Sequence, residues 1–180
     1  MVELSAIRDL VAIFGVIAGF SYYVLTVRGA RKNQQLQLET RQAQLFTQMI
    51  SQYSQPSMTE SMSFWSHLEI TSVEELAELF LNPETSKMLV RWGLYLEGIG
   101  VLVKENLLDI KFIAQLIGGD VKNCWEKIAP YMDEFREKAK APRGFIEFEY
   151  LYNEVMKYAE THPELGIQKS EYQVLGRLEG

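Results

Sequence analysis

The feature that most constrains this chain is an eighteen-residue run, Leu10–Val27, that contains no charged side chain. A helix rises about 1.5 Å per residue, so roughly 20 mostly apolar residues cross a hydrocarbon core of about 30 Å. Arg28, Arg31 and Lys32 close the run on its C-terminal side. The pattern predicts an N-terminal transmembrane anchor over residues 1–32. The alternatives are a buried helix and a cleaved signal peptide, although the chain lacks the positive N-terminal region that a signal peptide needs.

The flanks of the run also predict how it is oriented. Basic residues favour the cytoplasmic side of a membrane, so Arg28, Arg31 and Lys32 predict an N-terminus outside and a C-terminal domain in the cytoplasm, at the cell (inner) membrane. Within the run, Gly15 and Gly19 have the spacing at which two membrane helices approach closely. They are therefore candidate contact residues between spans, and glycines without any partner are the alternative.

Residues 33–55 contain no Gly or Pro and are rich in good helix formers. We therefore expect the membrane helix to continue as a juxtamembrane stalk. Its apolar stripe, which includes Leu38, Leu45 and Met49, predicts either packing on the chain's own domain or a short coiled coil. Pro56 and the Ser/Thr-rich stretch 54–63 predict a break in the helix and a domain boundary.

The remaining sequence predicts a helical domain over residues 56–160 and a C-terminal tail over 161–180. Apolar residues at three- and four-residue steps predict helices at 73–81, 84–106, 109–117, 121–138 and 145–158. Ser72 and Glu75 fit a capping box, while Gly118-Gly119 predicts the end of one helix before a second that Asp120 caps. No segment alternates like a strand. The predicted fold class is all-α, with a transmembrane helix, a juxtamembrane helix and a small helical bundle.

Composition and motifs argue against several kinds of function. Residues 1–32 hold two acidic and four basic side chains, and the whole chain has a net charge of −6, so the rest carries −8. An acidic domain binds nucleic acid poorly. The single cysteine, Cys124, and the two histidines, His67 and His162, lack metal-ligand spacing. We predict no metal, no cofactor and no catalytic residue, and therefore no enzyme.

Glu97 lies within the apolar stretch of the helix predicted at 84–106. A buried carboxylate has to be paired, hydrogen-bonded or neutralised. An ion pair with an arginine such as Arg136 or Arg143 is the structural interpretation. A functional acid and simple exposure to solvent are the alternatives.

The segment WGLYLEGIGVLVKENLLDIKFIAQLIGG and the later GFIEFEYLYNEV resemble a prokaryotic family of short, N-terminally membrane-anchored helical proteins of unknown function. The resemblance covers about Trp92 to Tyr158, and its most specific part is the cluster Phe145, Phe148, Glu149, Leu151 and Tyr152. It implies a helical domain behind an N-terminal span and assigns no catalytic residue. On this resemblance, Glu97 and Glu149 are acids set among apolar residues, and Arg136 is their natural counterion. The three residues are thus predicted to form a structural ionic network.

The sequence therefore predicts an interaction or adaptor module held on the cytoplasmic face of a membrane. Its expected partners are the lipid bilayer and either another protein or a second copy of itself. One alternative is a membrane-tethered enzyme or small-molecule sensor with a pocket around Glu97, Trp92 and Trp125. The other is an accessory subunit whose span packs against a transporter or channel.

Overall fold

A computed structural model describes the backbone of residues 4–168 and the side chains of residues 19–168. Its described residues form helices and one short 3₁₀ turn, with no strand, which confirms the predicted all-α class. The elements are α1 (Leu4–Tyr53), α2 (Pro56–Ser66), α3 (Val73–Leu81), α4 (Pro83–Lys104), α5 (Ile110–Lys138), α6 (Ile146–Glu160) and the 3₁₀ turn Pro163–Leu165. Residues 169–180 of the predicted tail lie outside the described part of the chain.

The chain divides into two compact units, the first ending at Gln44 and the second beginning at Leu45. The helix of the first unit belongs to α1, which runs without a break through the predicted stalk to Tyr53. The second unit contains the end of α1 and all the later elements.

The predicted transmembrane span falls on α1. Among the described residues, no helix combines the length and the apolar character that crossing a membrane requires. Residues 10–18 of the predicted span, including Gly15, have side chains outside the described set. Gly19 is described, and a Cβ built on it would meet no atom within 4 Å. The span therefore has no support from the described residues and stays a prediction, as do its contact residues.

The core of the second unit lies where α6 packs against both α4 and α5. Phe148 of α6 is fully buried, and its ring lies 5.1 Å from the ring of Trp125 and 6.3 Å from that of Trp65. Both contacts are edge-to-face, the arrangement that the charge distribution of aromatic rings favours. α2 and α3 complete the unit by packing mainly on the same central helices.

Local capping explains where α3 and α4 begin. The Ser72 hydroxyl accepts a hydrogen bond from the Glu75 amide at 3.2 Å, as the predicted capping box requires. The return bond of that box is replaced, since the Glu75 carboxylate accepts from the Thr71 amide instead, at 3.0 Å. Asn82 accepts from the first amides of α4, and Pro83 occupies the first turn, where its missing donor costs nothing.

The helix break predicted at Pro56 and the Ser/Thr-rich stretch 54–63 is present, since α1 ends at Tyr53 and α2 begins at Pro56, but residues 56–63 are themselves helical. Pro56 ends α1 but also begins α2, because a proline fits the first helical position. The hydroxyl of Ser61 donates to the Ser57 carbonyl within the helix, and Ser61 is itself buried. Packing of Met58 and Trp65 into the core outweighs the low helix preference of the serines.

The predicted helix break at Gly118-Gly119 is wrong, because α5 continues through both glycines. A Cβ on Gly118 would lie 2.6 Å from Cδ1 of Ile167 and 3.3 Å from Cγ1 of Val155. Gly118 therefore provides room for close packing rather than a helix end. Asp120 does not cap a helix, since it lies inside α5 and accepts a hydrogen bond from Tyr53.

Candidate functional site

One face of α4 receives the N-terminal turn of α6, and we call Gly93, Glu97, Gly100 and Lys104 the α4 groove. These residues follow one another at helical steps of four, three and four, so they form a row along the helix. A Cβ on Gly93 would lie 2.6 Å from the Phe145 ring, and a Cβ on Gly100 would lie 2.6 Å from the backbone carbonyl carbon of Glu147. Both glycines are therefore required by the close approach of α6.

The two charged residues of the α4 groove bind the start of α6. Glu97 accepts a hydrogen bond from the Phe148 amide at 2.7 Å, and it thereby satisfies one of the unpaired donors in the first turn of α6. Lys104 contacts both carboxylate oxygens of Glu147, at 2.9 and 3.0 Å. Phe145, just before the helix, has φ 53° and ψ 33° and makes no side-chain cap of its own. Glu97 thus supplies from α4 the cap that the local sequence of α6 lacks.

The structure brings together two of the three residues predicted to form an ionic network. Arg136 and Glu149 form an ion pair at 2.7 Å. The same guanidinium donates to the carbonyl of Gly144 at 2.9 Å, which holds the turn before α6. Glu97 is bound to the Phe148 amide, and among the described residues no cation pairs with its carboxylate. The partner of Glu97 is therefore a backbone N–H, and not the arginine that the sequence predicts.

A cleft of about 550 Å³ lies between the end of α2 and one face of α5, and we call it the α2–α5 cleft. It is lined on one side by Trp65, Ser66 and Ile70 and on the other by Asp120, Asn123, Cys124, Glu126, Lys127, Pro130 and Tyr131. Two side chains of α5 cross to the opposite wall. Lys127 donates to the carbonyls of Trp65 and Ser66 at 3.0 and 2.6 Å, and Tyr131 donates to the Ile70 carbonyl at 3.1 Å. These bonds fix the width of the cleft.

Asp120 stands at one end of the α2–α5 cleft. One of its carboxylate oxygens accepts from the Tyr53 hydroxyl at 3.2 Å. Burial raises the pKa of Asp120, and the Tyr53 hydrogen bond only partly offsets this effect. Burial, together with the negative charge of Asp120, raises the pKa of Tyr53 as well. Among the described residues, no cation lies beside either group to offset these shifts.

Cys124 lies one turn after Asp120 and faces the cleft from a buried position. Its sulfur accepts a hydrogen bond from the Trp92 indole at 3.3 Å. Burial raises the pKa of the thiol to about 12, so the reactive thiolate is scarce at neutral pH. Cys124 is therefore a structural residue of the fold.

The predicted pocket around Glu97, Trp92 and Trp125 is filled by the fold. Trp92 is fully buried and Trp125 almost so, and Glu97 is taken up by the amide of α6. Within the described part of the chain, no three His, Cys, Asp or Glu side chains are grouped as a metal site would need. A concave surface of the described residues lies elsewhere, in the α2–α5 cleft.

Sequence reasoning missed the α2–α5 cleft, although one signal of it was present. Asp120, Cys124, Lys127 and Tyr131 follow at steps of four, three and four, which places polar groups on one face of α5. The predicted break at Gly118-Gly119 concealed this row, because it made Asp120 a helix cap. The opposite wall comes from Trp65, more than fifty residues earlier in the sequence, and no local pattern indicates that contact.

Comparison with known proteins places the chain in a family without assigning an activity. One family pattern, described as a domain of unknown function (DUF4760), matches residues 9–155. No curated protein and no solved structure matches the chain. The family match contains most of the segment whose resemblance we noted and also extends upstream over the apolar run. The chain therefore belongs to the DUF4760 family, whose function is unknown.

Proposed function

We propose that this chain is a single-pass, membrane-anchored helical protein that holds another protein, or a second copy of itself, at the cytoplasmic face of a prokaryotic inner membrane. The observation that carries the proposal is the exposure of large apolar and aromatic side chains in the described end of the predicted span. Phe20, Tyr22, Tyr23 and Leu25 are between 64% and 73% exposed. A run of this kind favours contact with lipid or with another helix.

Other features of the run support an anchor. The hydroxyl of Thr26 donates to the Tyr22 carbonyl at 2.8 Å, so this polar group is satisfied within the helix, as a lipid environment demands. The exposed Arg28, Arg31 and Lys32 follow directly, where they would meet the headgroups of the cytoplasmic leaflet. The family match covers residues 9–155, so it includes the apolar run together with most of the helical domain.

The anchor and its orientation are tested together by fusing a topology reporter to each end of the full-length chain and by washing membranes with alkaline carbonate. The proposal predicts a C-terminal reporter active in the cytoplasm and a chain that stays in the membrane pellet. Replacing Arg28, Arg31 and Lys32 by glutamate should weaken the orientation, whereas Arg41→Glu, farther along the same helix, serves as the control. Release of the wild-type chain by carbonate would contradict the anchor, and a periplasmic C-terminus would contradict the orientation.

The adaptor role is supported by an apolar strip on the outer side of α4. Leu94 and Val101 are 59% and 43% exposed, and Gly98 lies between them with open space around it. These residues share one helix face. We expect Leu94→Asp with Val101→Asp to abolish chemical crosslinking of the full-length chain to its partner in membranes, while Leu116→Asp on α5 does not. Unchanged crosslinking in the double variant would contradict this surface.

The accessory-subunit alternative makes a different prediction. A partner bound through the span should be lost from mild detergent extracts when Gly15 and Gly19 are both replaced by leucine. A partner bound through α4 should survive that change. The enzyme or sensor alternative, with a pocket at Glu97, is disfavoured because the Phe148 amide already occupies the carboxylate.

A further inference from the structure

The acidic side chains that lie partly buried in the second unit almost all have a charged or amide partner. Glu147 binds Lys104, Glu149 binds Arg136, and Glu126 binds Lys122 at 3.2 Å. Glu97 binds a backbone amide. Asp120 is the exception, since its one hydrogen bond among the described residues comes from the neutral Tyr53 hydroxyl. A carboxylate withdrawn from water without a cation is costly to the fold, so its retention needs a reason.

Lys127 has the complementary property at the other end of the same cleft. Its ammonium group donates to the carbonyls of Trp65 and Ser66, and among the described residues no carboxylate lies within ion-pairing distance of it. An ammonium carries three donors, so one remains for a further acceptor. Lys127 is thus a cation without an anion, as Asp120 is an anion without a cation.

The two unbalanced charges lie on one face of α5 and in one cavity. Asp120 and Lys127 are seven residues apart, which places their Cα atoms about 10.5 Å apart along the helix. Cys124 lies between them, and beyond the effects of burial and of the Trp92 hydrogen bond, its pKa is raised by the charge of Asp120 and lowered by that of Lys127. They do not pair with each other, and the space between them is open to solvent.

We infer that the α2–α5 cleft binds a small zwitterion, a molecule with an ammonium group that contacts Asp120 and a carboxylate that contacts Lys127. The volume of about 550 Å³ is within the usual range for small-molecule sites. Ile70, Pro130 and Tyr131 offer apolar surface for the hydrocarbon part of such a ligand, and the exposed Asn123 amide faces the same space. The inference goes beyond the proposed adaptor role and does not depend on the membrane anchor.

The test is calorimetric titration of the full-length chain in a mild non-ionic detergent with a series of ω-amino acids: glycine, β-alanine, γ-aminobutyrate and ε-aminocaproate. The series varies the distance between the two charges while keeping their identity. We expect saturable binding of at least one member. The amine and the carboxylic acid that correspond to its two halves are, for example, butylamine and butyrate. Each should bind at least about tenfold more weakly, because each lacks one charge-assisted hydrogen bond.

Two variants localise the binding. Asp120→Asn keeps an acceptor for Tyr53 and removes the charge, and Lys127→Gln keeps an amide donor toward α2. Each should weaken binding about tenfold or more, whereas Asp133→Asn, a fully exposed carboxylate on the same helix, should not. If Lys127→Gln unfolds, Asp120→Asn decides the question alone. As a second measurement, saturating ligand should raise the Tm of the wild-type chain more than that of Asp120→Asn.

Three results would overturn the inference. One is the absence of saturable binding by every member of the series. Another is equally tight binding of the amine or the acid alone, which would describe a site for one charge. The third is wild-type affinity in both variants. None of these results bears on the carbonate and topology measurements, so the anchor and the cleft succeed or fail separately.

Discussion

Gly98 and Gly100 offer a matched test of the α4 groove, because they lie two residues apart on one helix and differ only in what they face. A Cβ on Gly98 would meet nothing within 4 Å. A Cβ on Gly100 would overlap the carbonyl oxygen of Glu147 and lie 2.6 Å from its carbonyl carbon. Alanine at the two positions therefore makes the same change in helix preference, but only at Gly100 does it also create an overlap.

The expected magnitudes follow from these contacts. Alanine in place of glycine stabilises a helix interior by about 1 kcal/mol, so Gly98→Ala should be that much more stable than the wild type. Gly100→Ala gains the same amount but suffers an overpacking cost of about 3 kcal/mol, since a backbone carbonyl cannot rotate away. Moving that carbonyl also pulls the Phe148 amide from Glu97, at a cost of about 1.5 kcal/mol or more. The two variants should differ by roughly 4 to 5 kcal/mol.

The assay is urea or thermal unfolding of the full-length chain in constant detergent, followed by the fluorescence of the three tryptophans. For a chain of this length each kcal/mol shifts the Tm by about 2 to 4 °C, so the variants should melt about 10 °C apart or more. Gly98→Ala should melt above the wild type and Gly100→Ala below it. Equal melting temperatures for the two variants would refute the reasoning, because α6 would then be free to retreat from α4 at no cost.

Three further predictions concern single side chains. Glu97→Ala should lose about 1.5 to 3 kcal/mol of stability, because the Phe148 amide loses a charged acceptor. Glu97→Gln keeps a neutral acceptor and should lose clearly less in the same urea titration. Equal losses in the two variants would argue against the cap. Asp120→Asn should raise the Tm at pH 7, because the folded pKa of Asp120 lies above its ordinary value of 3.8 and the charged form is disfavoured in the fold. This gain should shrink as the pH falls through the raised pKa, where the wild-type carboxyl becomes protonated in the folded state, and a gain independent of pH would point to another cause. Cys124 should resist a maleimide reagent at pH 7 in the folded chain and react fully in urea, whereas rapid labelling of the folded chain would show that the thiol is exposed.

The features predicted correctly from sequence are those that neighbouring residues decide. Ser72 was identifiable as a helix cap because a cap and the amide it binds lie two or three residues apart. The resemblance to a known family implied Arg136 as a counterion for Glu149, and the two residues form an ion pair. Both kinds of evidence are present in the sequence itself.

The features that were missed depend on distant contacts. The sequence around Gly118 predicts a helix end, whereas in the structure Ile167 occupies the space where a Cβ of residue 118 would lie. The sequence predicts an ion pair for Glu97. Its actual partner, the Phe148 amide, becomes available only through the left-handed backbone at Phe145, which the sequence does not indicate. The α2–α5 cleft was missed for the same reason, because Trp65 and Lys127 meet only in the folded chain.

The position of α6 in the chain has a consequence for folding during synthesis. The core of the second unit cannot close before α6 has been synthesised, because Phe148, Leu151 and Val155 of α6 are fully buried in it and follow α2–α5 in the sequence. Until these residues have been synthesised, the α4 groove and the rings of Trp65 and Trp125 lack the cover that α6 gives them. A chain that stops before Ile146 therefore keeps this surface exposed, which favours aggregation and proteolysis. A chain interrupted before Ile146 therefore lacks the helix that closes the described core.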